Sequence, residues 1–507
     1  MLFNSIEFLF AFLPITLVIF YVLSSRNIRG AMIWLCFASL FFYGWWNPKY
    51  LIILLYSIFV NFWIGKRLTS SQASQKSKRI PLWLGIGFNL SLLGYFKYAG
   101  FFTDILNSNS HFDYTIPVII LPLAISFFTF QQIAFLVDSY KGKARYQNDF
   151  LSYCVFITFF PQLVAGPIVH HREMMPQFTR KKATLFQGKH IHIGLALLII
   201  GLFKKVCIAD NLDLYASPIF LASAQNDSIH FLEAWTAAIA YSLQIYFDFS
   251  GYSDMALGLA RMFGIRLPVN FFSPYKAKNI IDFWRRWHIT LSRFLRDYLY
   301  IPLGGGRKGE SRKYTNLLTT MLLGGLWHGA GWTFILWGAL HGLYLILNHL
   351  WQKFHIIRMP AFLARSLTLF CIVIAWVFFR AENMESAVNI VHAMLSPSLT
   401  DFTQMGYNLW ETGGVMRSRF APQQANLALP ILFFSTLLCL YAPNSGEIMR
   451  KYRPFIRGIG KNKMSKGRFR FIWQPNALWG TFLGFMLCIT LFKVIYEPNH
   501  VFLYFQF

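Results

Sequence analysis

One histidine stands out because it lies in apolar surroundings where an imidazole could exchange a proton. His328 occurs in GGLWHGAGW, at the end of an apolar run, with Gly324, Gly325 and Gly329 close to it. Glycines let a substrate or another backbone approach closely, and an ionisable group at membrane depth is a functional site by default. Because burial disfavours the charged imidazole, His328 is predicted to be neutral and able to accept a proton, as acyl transfer to a hydroxyl requires.

A second histidine, His288, lies in the unusually basic stretch FWRRWHITLSRFLRDYLY. A single helix here would place on one face Trp284, Trp287, His288, Leu291, Leu295 and Tyr298. The other face would pair Asp282 with Arg286 and Arg293 with Asp297. An arginine at the bilayer centre costs roughly 2.5–3.5 kcal/mol, so this helix is predicted at the membrane–cytosol boundary or re-entering within protein. His288 is then either a packed core residue or a catalytic group.

Two carboxylates and a third histidine are weaker candidates. QIYFDFSGYSDMALG places Asp248 and Asp254 six residues apart, on different faces of a continuous helix, which argues against a paired-carboxylate catalyst. Gly251 is expected to break this helix, and a hydrogen-bonding structural role is favoured for both carboxylates. His341, in LWGALHG, follows the first candidate histidine by one apolar run.

A glycine-rich loop and the absence of other motifs narrow the chemistry. GGGRKG matches G-x-G-x-x-G, but no strand–turn–helix unit surrounds it, so a dinucleotide site is not indicated. Its Arg307 and Lys308 could bind the phosphate of a lipid or of a cofactor. The chain has no G-x-S-x-G, no H-E-x-x-H and no clustered Cys/His, and its six cysteines have no close pairs. Neither a metal site nor a disulfide framework is indicated.

The composition is that of a membrane protein. Of the 507 residues, 55% are hydrophobic, 19% aromatic and only 13% charged, about half the usual charged share. Recurrent apolar runs predict one all-α polytopic domain over 1–507, with about 10–12 transmembrane helices plus re-entrant or interfacial helices. Glu7 in the first run, with no Lys or Arg before it, predicts a retained span rather than a signal peptide.

The distribution of basic residues predicts sidedness. The formal charge is +26, but it is concentrated in short loops, which indicates contact with anionic head groups rather than nucleic acid. Segments predicted to be cytoplasmic are 65–80, 172–189, 304–313 and 447–470. Segments predicted to lie outside, with the N-terminus, are 101–115, 209–230 and 381–426.

Several motifs together resemble the membrane-bound O-acyltransferase superfamily, and most closely its bacterial alginate O-acetyltransferase branch. The resemblance is carried by LLGYFKYAGFF, LPLAISFFTFQQIAFLVDSYKG, FFPQLVAGPIV, YFDFSGYSDMALG, FWRRWHITLSRFLRDYLYIPLGGGRKG, LLGGLWHGAGWTFILWGALHG and WVFFRAEN. These core motifs span about 90–385, whereas 395–507 carries little of the resemblance.

The resemblance implies a helical ring in which an outer funnel and a cytoplasmic opening meet at the catalytic histidine. That residue maps onto His328, and the family's second histidine maps onto His288. Candidates that line the tunnel or contact substrate are Trp287, Trp327, His341, Asp248 and Tyr252. Arg307 and Lys308 are candidates for binding the donor phosphate, and no metal is implied.

The function implied is O-acetyl transfer across the bacterial inner membrane. Acetyl-CoA or another acetyl thioester would be the cytoplasmic donor, and an extracytoplasmic polysaccharide, alginate or a related exopolysaccharide, the final acceptor. Alternatives are peptidoglycan O-acetylation, acyl transfer to phospholipid or protein, and a lipid or glycan transporter or flippase. Apart from membrane lipids, the expected partner is a periplasmic SGNH-type acetyltransferase docked near 381–426, because the outer loops are too short for a catalytic domain.

Overall fold

The computed structural model describes residues 1–70, 74–109, 117, 119–144, 149–164, 166–180, 185–354, 359–397, 422–456, 471–497 and 502–503. Over these ranges the chain is helical, and its extended pairing is an isolated bridge between Pro268 and Ile456. The predicted all-α class is therefore confirmed. Much of the expected outer segment 381–426, most of the basic segment 447–470 and parts of 101–115 and 172–189 lie outside the described residues.

The α-helices follow one another with short connections. In chain order they are α1 (Leu13–Arg26), α2 (Ile28–Gly44), α3 (Lys49–Thr69), α4 (Gln75–Leu93), α5 (Ala99–Asn109), α6 (Ile125–Tyr140), α7 (Phe150–Thr158), α8 (Phe160–Leu163), α9 (His171–Phe178), α10 (Gly188–Phe203), α11 (Asp210–Ala224), α12 (Phe231–Met262), α13 (Ile280–Trp284), α14 (Ile289–Leu295), α15 (Glu310–His328), α16 (Trp332–Phe354), α17 (Ala361–Arg380), α18 (Met384–Leu395), α19 (Pro422–Tyr441), α20 (Ser445–Ile448) and α21 (Ala477–Tyr496). Wider π-helical turns occur at Glu7–Phe12, Gly94–Tyr98, Lys204–Ala209 and Arg296–Tyr300. Short 3₁₀ turns occur at Pro274–Lys276 and Arg450–Tyr452.

Six of the described helical segments are long and apolar enough to cross a membrane. They are Glu7–Arg26, Lys49–Thr69, Gly188–Ala224, Trp332–Phe354, Ala361–Arg380 and Ala477–Tyr496, and the shorter apolar helices are Ile28–Gly44 and Leu427–Tyr441. Large apolar side chains on these helices remain exposed, as Phe485 and Phe492 do on α21. Such faces suit lipid contact, and the chain is a multi-pass membrane protein. The expected 10–12 crossings stay a prediction.

Asparagine side chains start several of the helices. Asn27 accepts a hydrogen bond from the amide of Arg29 at the start of α2, and Asn383 accepts one from Ser386 at the start of α18. These bonds satisfy amides that have no partner in the first turn of a helix. Local sequence therefore sets these boundaries, before any long-range packing.

The chain divides into two compact units. The first comprises Met1–Leu202, Tyr252–Asn270 and Ser445–Phe505, and the second comprises Phe203–Gly251 and Phe271–Asn444. Helix α12 contributes its first part to the second unit and its last part to the first. It is continuous from Phe231 to Met262, so the expected break at Gly251 is wrong. A glycine costs a helix only about 1 kcal/mol relative to alanine, which packing can offset.

The basic stretch around His288 is not the single helix that its periodicity predicts. Helix α13 ends at Trp284, His288 adopts a left-handed conformation with φ of 40°, and α14 begins at Ile289. A tertiary contact accompanies the break, because the amide of Phe272 donates to the carbonyl of Arg286 at 2.9 Å. That carbonyl is therefore bonded outside a helical ladder.

The burial pattern of this stretch nevertheless follows the prediction. Its tryptophans, His288 and its two stripe leucines are buried, whereas Tyr298 is only half-buried. The predicted ion pair from Arg286 to Asp282 is present, with 2.9 Å between Nε and Oδ1. Asp297 forms an ion pair with Arg296, with 2.7 Å between Arg296 Nε and Asp297 Oδ1.

Candidate active site

Close packing of α15 against α16 places His328. A Cβ atom added to Gly325 would lie 2.2 Å from the carbonyl oxygen of Phe334, and one added to Gly338 would lie 2.4 Å from that of Met321. These glycines therefore let one backbone approach the other, which was one of the two roles that the sequence left open for Gly325. His328 is the last residue of α15, so its side chain lies at the carbonyl end of that helix.

Aromatic side chains surround His328. Its ring centroid lies 4.9 Å from that of Trp327, 5.1 Å from that of Trp337 and 5.2 Å from that of Phe379. His328 is 5% exposed. The imidazole is thus buried among aromatic side chains, where electrostatic interactions with a reacting group are stronger than in water.

His288 belongs to the same cluster of the second unit. Its ring lies 6.5 Å from that of His328 and 4.9 Å from that of Phe249, edge to face. The side chain is fully buried, and this burial lowers the pKa of His288 to about 3. His288 is therefore a neutral imidazole at physiological pH, and the structure brings together the two histidines that the sequence singled out.

His341 joins the cluster through Trp337. Its ring lies 4.7 Å from that of Trp337 and 5.2 Å from that of Trp284. The side chain is fully buried, and neither ring nitrogen has a hydrogen-bond partner among the residues that the structure describes. A buried imidazole without hydrogen-bond partners is unusual in proteins.

Trp287 packs against other aromatic side chains, which together form an aromatic wall. It packs against Phe271 at 5.0 Å and Trp376 at 4.9 Å. Trp376 donates from Nε1 to the hydroxyl of Tyr275 at 3.1 Å, and that hydroxyl donates to the carbonyl of Ser242. This chain of bonds fixes the wall to α12.

Asp248 is held in a buried ion cluster. Lys205 Nζ lies 2.7 Å from Asp248 Oδ1 and 2.7 Å from Asp210 Oδ1. All three side chains are buried. Because Asp248 immediately precedes Phe249, this cluster holds α12 at the point where Phe249 contacts His288. Asp254 accepts a hydrogen bond from Ser445 at 2.6 Å, the hydrogen-bonding role expected for it.

The remaining candidates are one tyrosine of the first unit and two basic residues of the glycine-rich loop. Tyr252 belongs to the first unit, where its ring packs on those of Phe3 and Phe502. Arg307 and Lys308 are exposed on the loop between the π-helical turn and α15. The loop contains three glycines with positive φ, and its Gly305 carbonyl accepts a hydrogen bond from an asparagine of α15 at 2.9 Å.

Several residues of the cluster were not identified from the sequence. Trp337 precedes His341 by four residues, so helical spacing could have placed it on the same face. Lys205 is an ionisable residue within an apolar segment, a signal of function that could also have been read. Phe379 and Trp376 carry no such signal, because aromatic residues are common throughout this chain.

Metal-ligating side chains do not converge in the described part of the chain: no group of three His, Cys, Asp or Glu residues there could hold a metal ion. The chemistry that the cluster itself offers is proton transfer and hydrogen bonding by imidazoles inside an aromatic enclosure.

Comparison with known proteins finds one matching family and several similar O-acetylating proteins. The model of the membrane-bound O-acyltransferase family matches residues 143–385, which include every histidine of the cluster. The chain is 48% identical over 427 residues to the peptidoglycan O-acetyltransferase of Helicobacter pylori, covering 78% of this chain and 80% of that protein. It is 35% identical over 517 residues to the probable alginate O-acetylase AlgI of Pseudomonas putida, covering 100% of both. It is 41% identical over 400 residues to the Pseudomonas aeruginosa protein of that name, covering 78% and 75%.

Proposed function

The chain belongs to the membrane-bound O-acyltransferase family, and from this premise we propose that it transfers acetyl from a thioester donor to a hydroxyl acceptor outside the cytoplasm. The observation that carries the proposal is the pair of buried imidazoles, His288 and His328, 6.5 Å apart within one aromatic cluster. Family membership favours group transfer over the transporter or flippase alternative.

His328 is proposed as the general base. It removes the proton of the acceptor hydroxyl as the oxygen attacks the thioester carbonyl, giving a tetrahedral intermediate. The C–S bond then breaks, an ester C–O bond remains, and the proton on His328 passes to the departing thiolate. The position of His328 at the carbonyl end of α15 suits this role, because that end favours the transient imidazolium.

His288 is proposed to position rather than to protonate. With its pKa lowered to about 3, it is not charged at physiological pH, and a neutral imidazole can donate one hydrogen bond to the developing oxyanion. His341, with its nitrogens buried beside Trp337, is proposed to contact substrate. Trp287 and Trp327 are proposed to line the tunnel through which the substrates reach His328. Asp248 is proposed to hold α12 in position through its ion pair with Lys205.

The donor is proposed to be acetyl-CoA or another acetyl thioester on the cytoplasmic side of the inner membrane, with Arg307 and Lys308 as candidate phosphate contacts. The acceptor system is an extracytoplasmic polysaccharide such as alginate or a related exopolysaccharide. Peptidoglycan is the second candidate, favoured by the 48% identity to the Helicobacter pylori peptidoglycan enzyme against 41% and 35% to the two alginate-named relatives. A periplasmic SGNH-type partner is proposed to receive acetyl first.

The test is acetyl transfer by purified protein in liposomes, with labelled donor inside. His328→Ala should reduce transfer about 10²–10⁴-fold, the usual contribution of a general base. His171→Ala is the matched control, because His171 is 2% exposed and lies in the other unit, on α9. It should keep activity while suffering a similar loss of packing. Full activity of His328→Ala would refute the assignment.

The same liposomes identify the acceptor and the need for a partner. Alginate and peptidoglycan fragments are supplied outside, each with and without the periplasmic acetyltransferase encoded nearest in the genome. We expect one glycan to be acetylated only when the partner is present. Complete acetylation by this chain alone would exclude the relay without affecting the assignment of His328.

A further inference from the structure

A buried arginine of the first unit lies outside the histidine cluster and has no assigned role. Arg261, in the last turn of α12, is 3% exposed. Its Nε is buried and has no hydrogen-bond partner among the described residues. A buried guanidinium nitrogen without a hydrogen-bond partner is unfavourable in proteins, which makes Arg261 a candidate for contact with an anion.

The neighbours of Arg261 are cationic rather than acidic. Arg266 and the Tyr21 hydroxyl lie within electrostatic range of Arg261. His190 lies within range of Arg261, Arg266 and Lys189, and its buried Nδ1 has no hydrogen-bond partner in the described part of the chain. No carboxylate is among the groups that act on Arg261 or His190 there.

Contacts from three other segments hold this basic cluster in place. Gln177 of α9 brackets the backbone of Arg266, accepting from its amide at 2.9 Å and donating to its carbonyl at 3.0 Å. The Tyr21 hydroxyl of α1 donates to the carbonyl of Met262, next to Arg261. The carbonyl of Leu267 accepts from the amide of Ile456 at 2.9 Å. The cations are therefore positioned by the fold and not by mutual attraction, which they lack.

We propose that Arg261, His190 and Arg266, assisted by Lys189, form a phosphate-binding site. A guanidinium offers parallel N–H donors that match phosphate oxygens, and imidazole adds another donor. Phosphate suits the cluster better than a carboxylate does, because it carries up to about two negative charges against three fixed positive ones. Lys189 and Gln177 belong to segment 172–189 and Ile456 to segment 447–470, and the basic composition of both segments predicts the cytoplasmic side.

The phosphate has two possible sources on that side: a soluble thioester donor such as coenzyme A, or the head group of an anionic lipid. Binding to either is measured without acceptor and without turnover. The inference therefore does not depend on the proposed acetyl transfer, and either proposal can fail while the other stands.

The experiment compares wild type with Arg261→Gln, Arg261→Lys and the exposed double variant Lys189→Gln/Arg266→Gln. Coenzyme A binding is measured by calorimetry in zwitterionic nanodiscs. Retention of phosphatidylglycerol is measured by native mass spectrometry from mixed phosphatidylglycerol–phosphatidylcholine membranes. Arg365→Gln, an exposed arginine of the other unit, is the matched control.

We expect Arg261→Gln to weaken one of the two phosphate ligands about tenfold or more, as loss of a charged hydrogen bond does. Arg261→Lys should recover part of the affinity, and the control should change neither ligand. Loss of coenzyme A binding identifies a soluble phosphate, and loss of retained phosphatidylglycerol identifies a lipid head group. Unchanged binding of both ligands in Arg261→Gln and in the exposed double variant overturns the site. Because Lys189 and Arg266 are exposed, the double variant remains informative if Arg261→Gln does not fold.

Discussion

Replacing Lys205 with methionine tests whether the buried ion cluster holds the active-site helix in position. Lys205 Nζ contacts both Asp210 and Asp248 at 2.7 Å, and all three side chains are buried. Methionine fills a similar volume, so the packing loss is small and the main effect is electrostatic. The change leaves two carboxylates in a buried site without the cation that bridged them.

The expected loss is large. Removing one member of a buried ion pair costs about 3–5 kcal/mol, because the other member is left charged and poorly solvated. For a cooperative unit of about 150–250 residues, each kcal/mol lowers the thermal midpoint by about 2–4 °C, so Lys205→Met should lower it by roughly 6–20 °C. Acetyl transfer should fall as well, since Asp248 adjoins the Phe249 that contacts His288.

The assay is fluorescence-detected size-exclusion chromatography after heating in detergent. Lys353→Met is the control: Lys353 contacts Glu310 at 2.5 Å, but both side chains are about half exposed, and exposed pairs contribute little. Adding Asp248→Asn to Lys205→Met removes one of the two buried negative charges and should recover part of the loss. A midpoint for Lys205→Met equal to that of Lys353→Met would show that the buried cluster carries no stability.

Three further outcomes follow from the geometry. Because burial lowers the pKa of His288 from 6.5 to about 3, the unfolded chain binds a proton there that the folded chain does not, and stability falls as pH drops from about 6.5 towards 3. His288→Gln should remove up to about 1.4 kcal/mol per pH unit of this acid sensitivity in unfolding scans; an unchanged slope would contradict it. Gly325→Ala places a methyl group 2.2 Å from the Phe334 carbonyl and should abolish transfer, whereas Gly87→Ala faces open space and should not; equal activities would exclude tight packing there. In a cysteine-free background, Gly309→Cys should react with an impermeant thiol reagent only once the inner membrane is opened, and labelling of cells with an intact inner membrane would reverse the predicted sidedness.

Composition and local sequence were sufficient for the class of protein and for its two main candidate residues. A long chain with few charges and recurrent apolar runs has to bury those runs in lipid or in the protein interior. The runs form helices there, because a helix pairs its own backbone N–H and C=O groups. His288 and His328 were identified because burying an ionisable side chain in apolar surroundings costs free energy, so such residues are usually functional. The helix starts at asparagine are also set by local sequence, because each asparagine side chain bonds an amide only two or three residues away.

Periodicity was insufficient for the geometry of the site. In a soluble protein an apolar face predicts burial, but here lipid-facing and interior faces are both apolar. Phe485 is 66% exposed and Phe128 is fully buried, yet hydropathy does not separate them. The prediction from the apolar stripe around His288 was therefore correct for burial but wrong for a continuous helix. The hydrogen bond between Phe272 and Arg286, which accompanies the break, joins residues fourteen positions apart and leaves no signal in the periodicity.

The surroundings of the two histidines were decided only by tertiary structure. Phe379 contacts His328 from fifty-one residues away in the chain, and Lys205 pairs with Asp248 across forty-three. Pairings at such distances depend on how helices pack, and helix packing depends on glycines such as Gly325 meeting a particular backbone. The sequence by itself determined an α-helical membrane protein with two buried histidines; packing decided that their rings lie 6.5 Å apart, because side-chain contacts between distant helices leave no periodic trace in one chain.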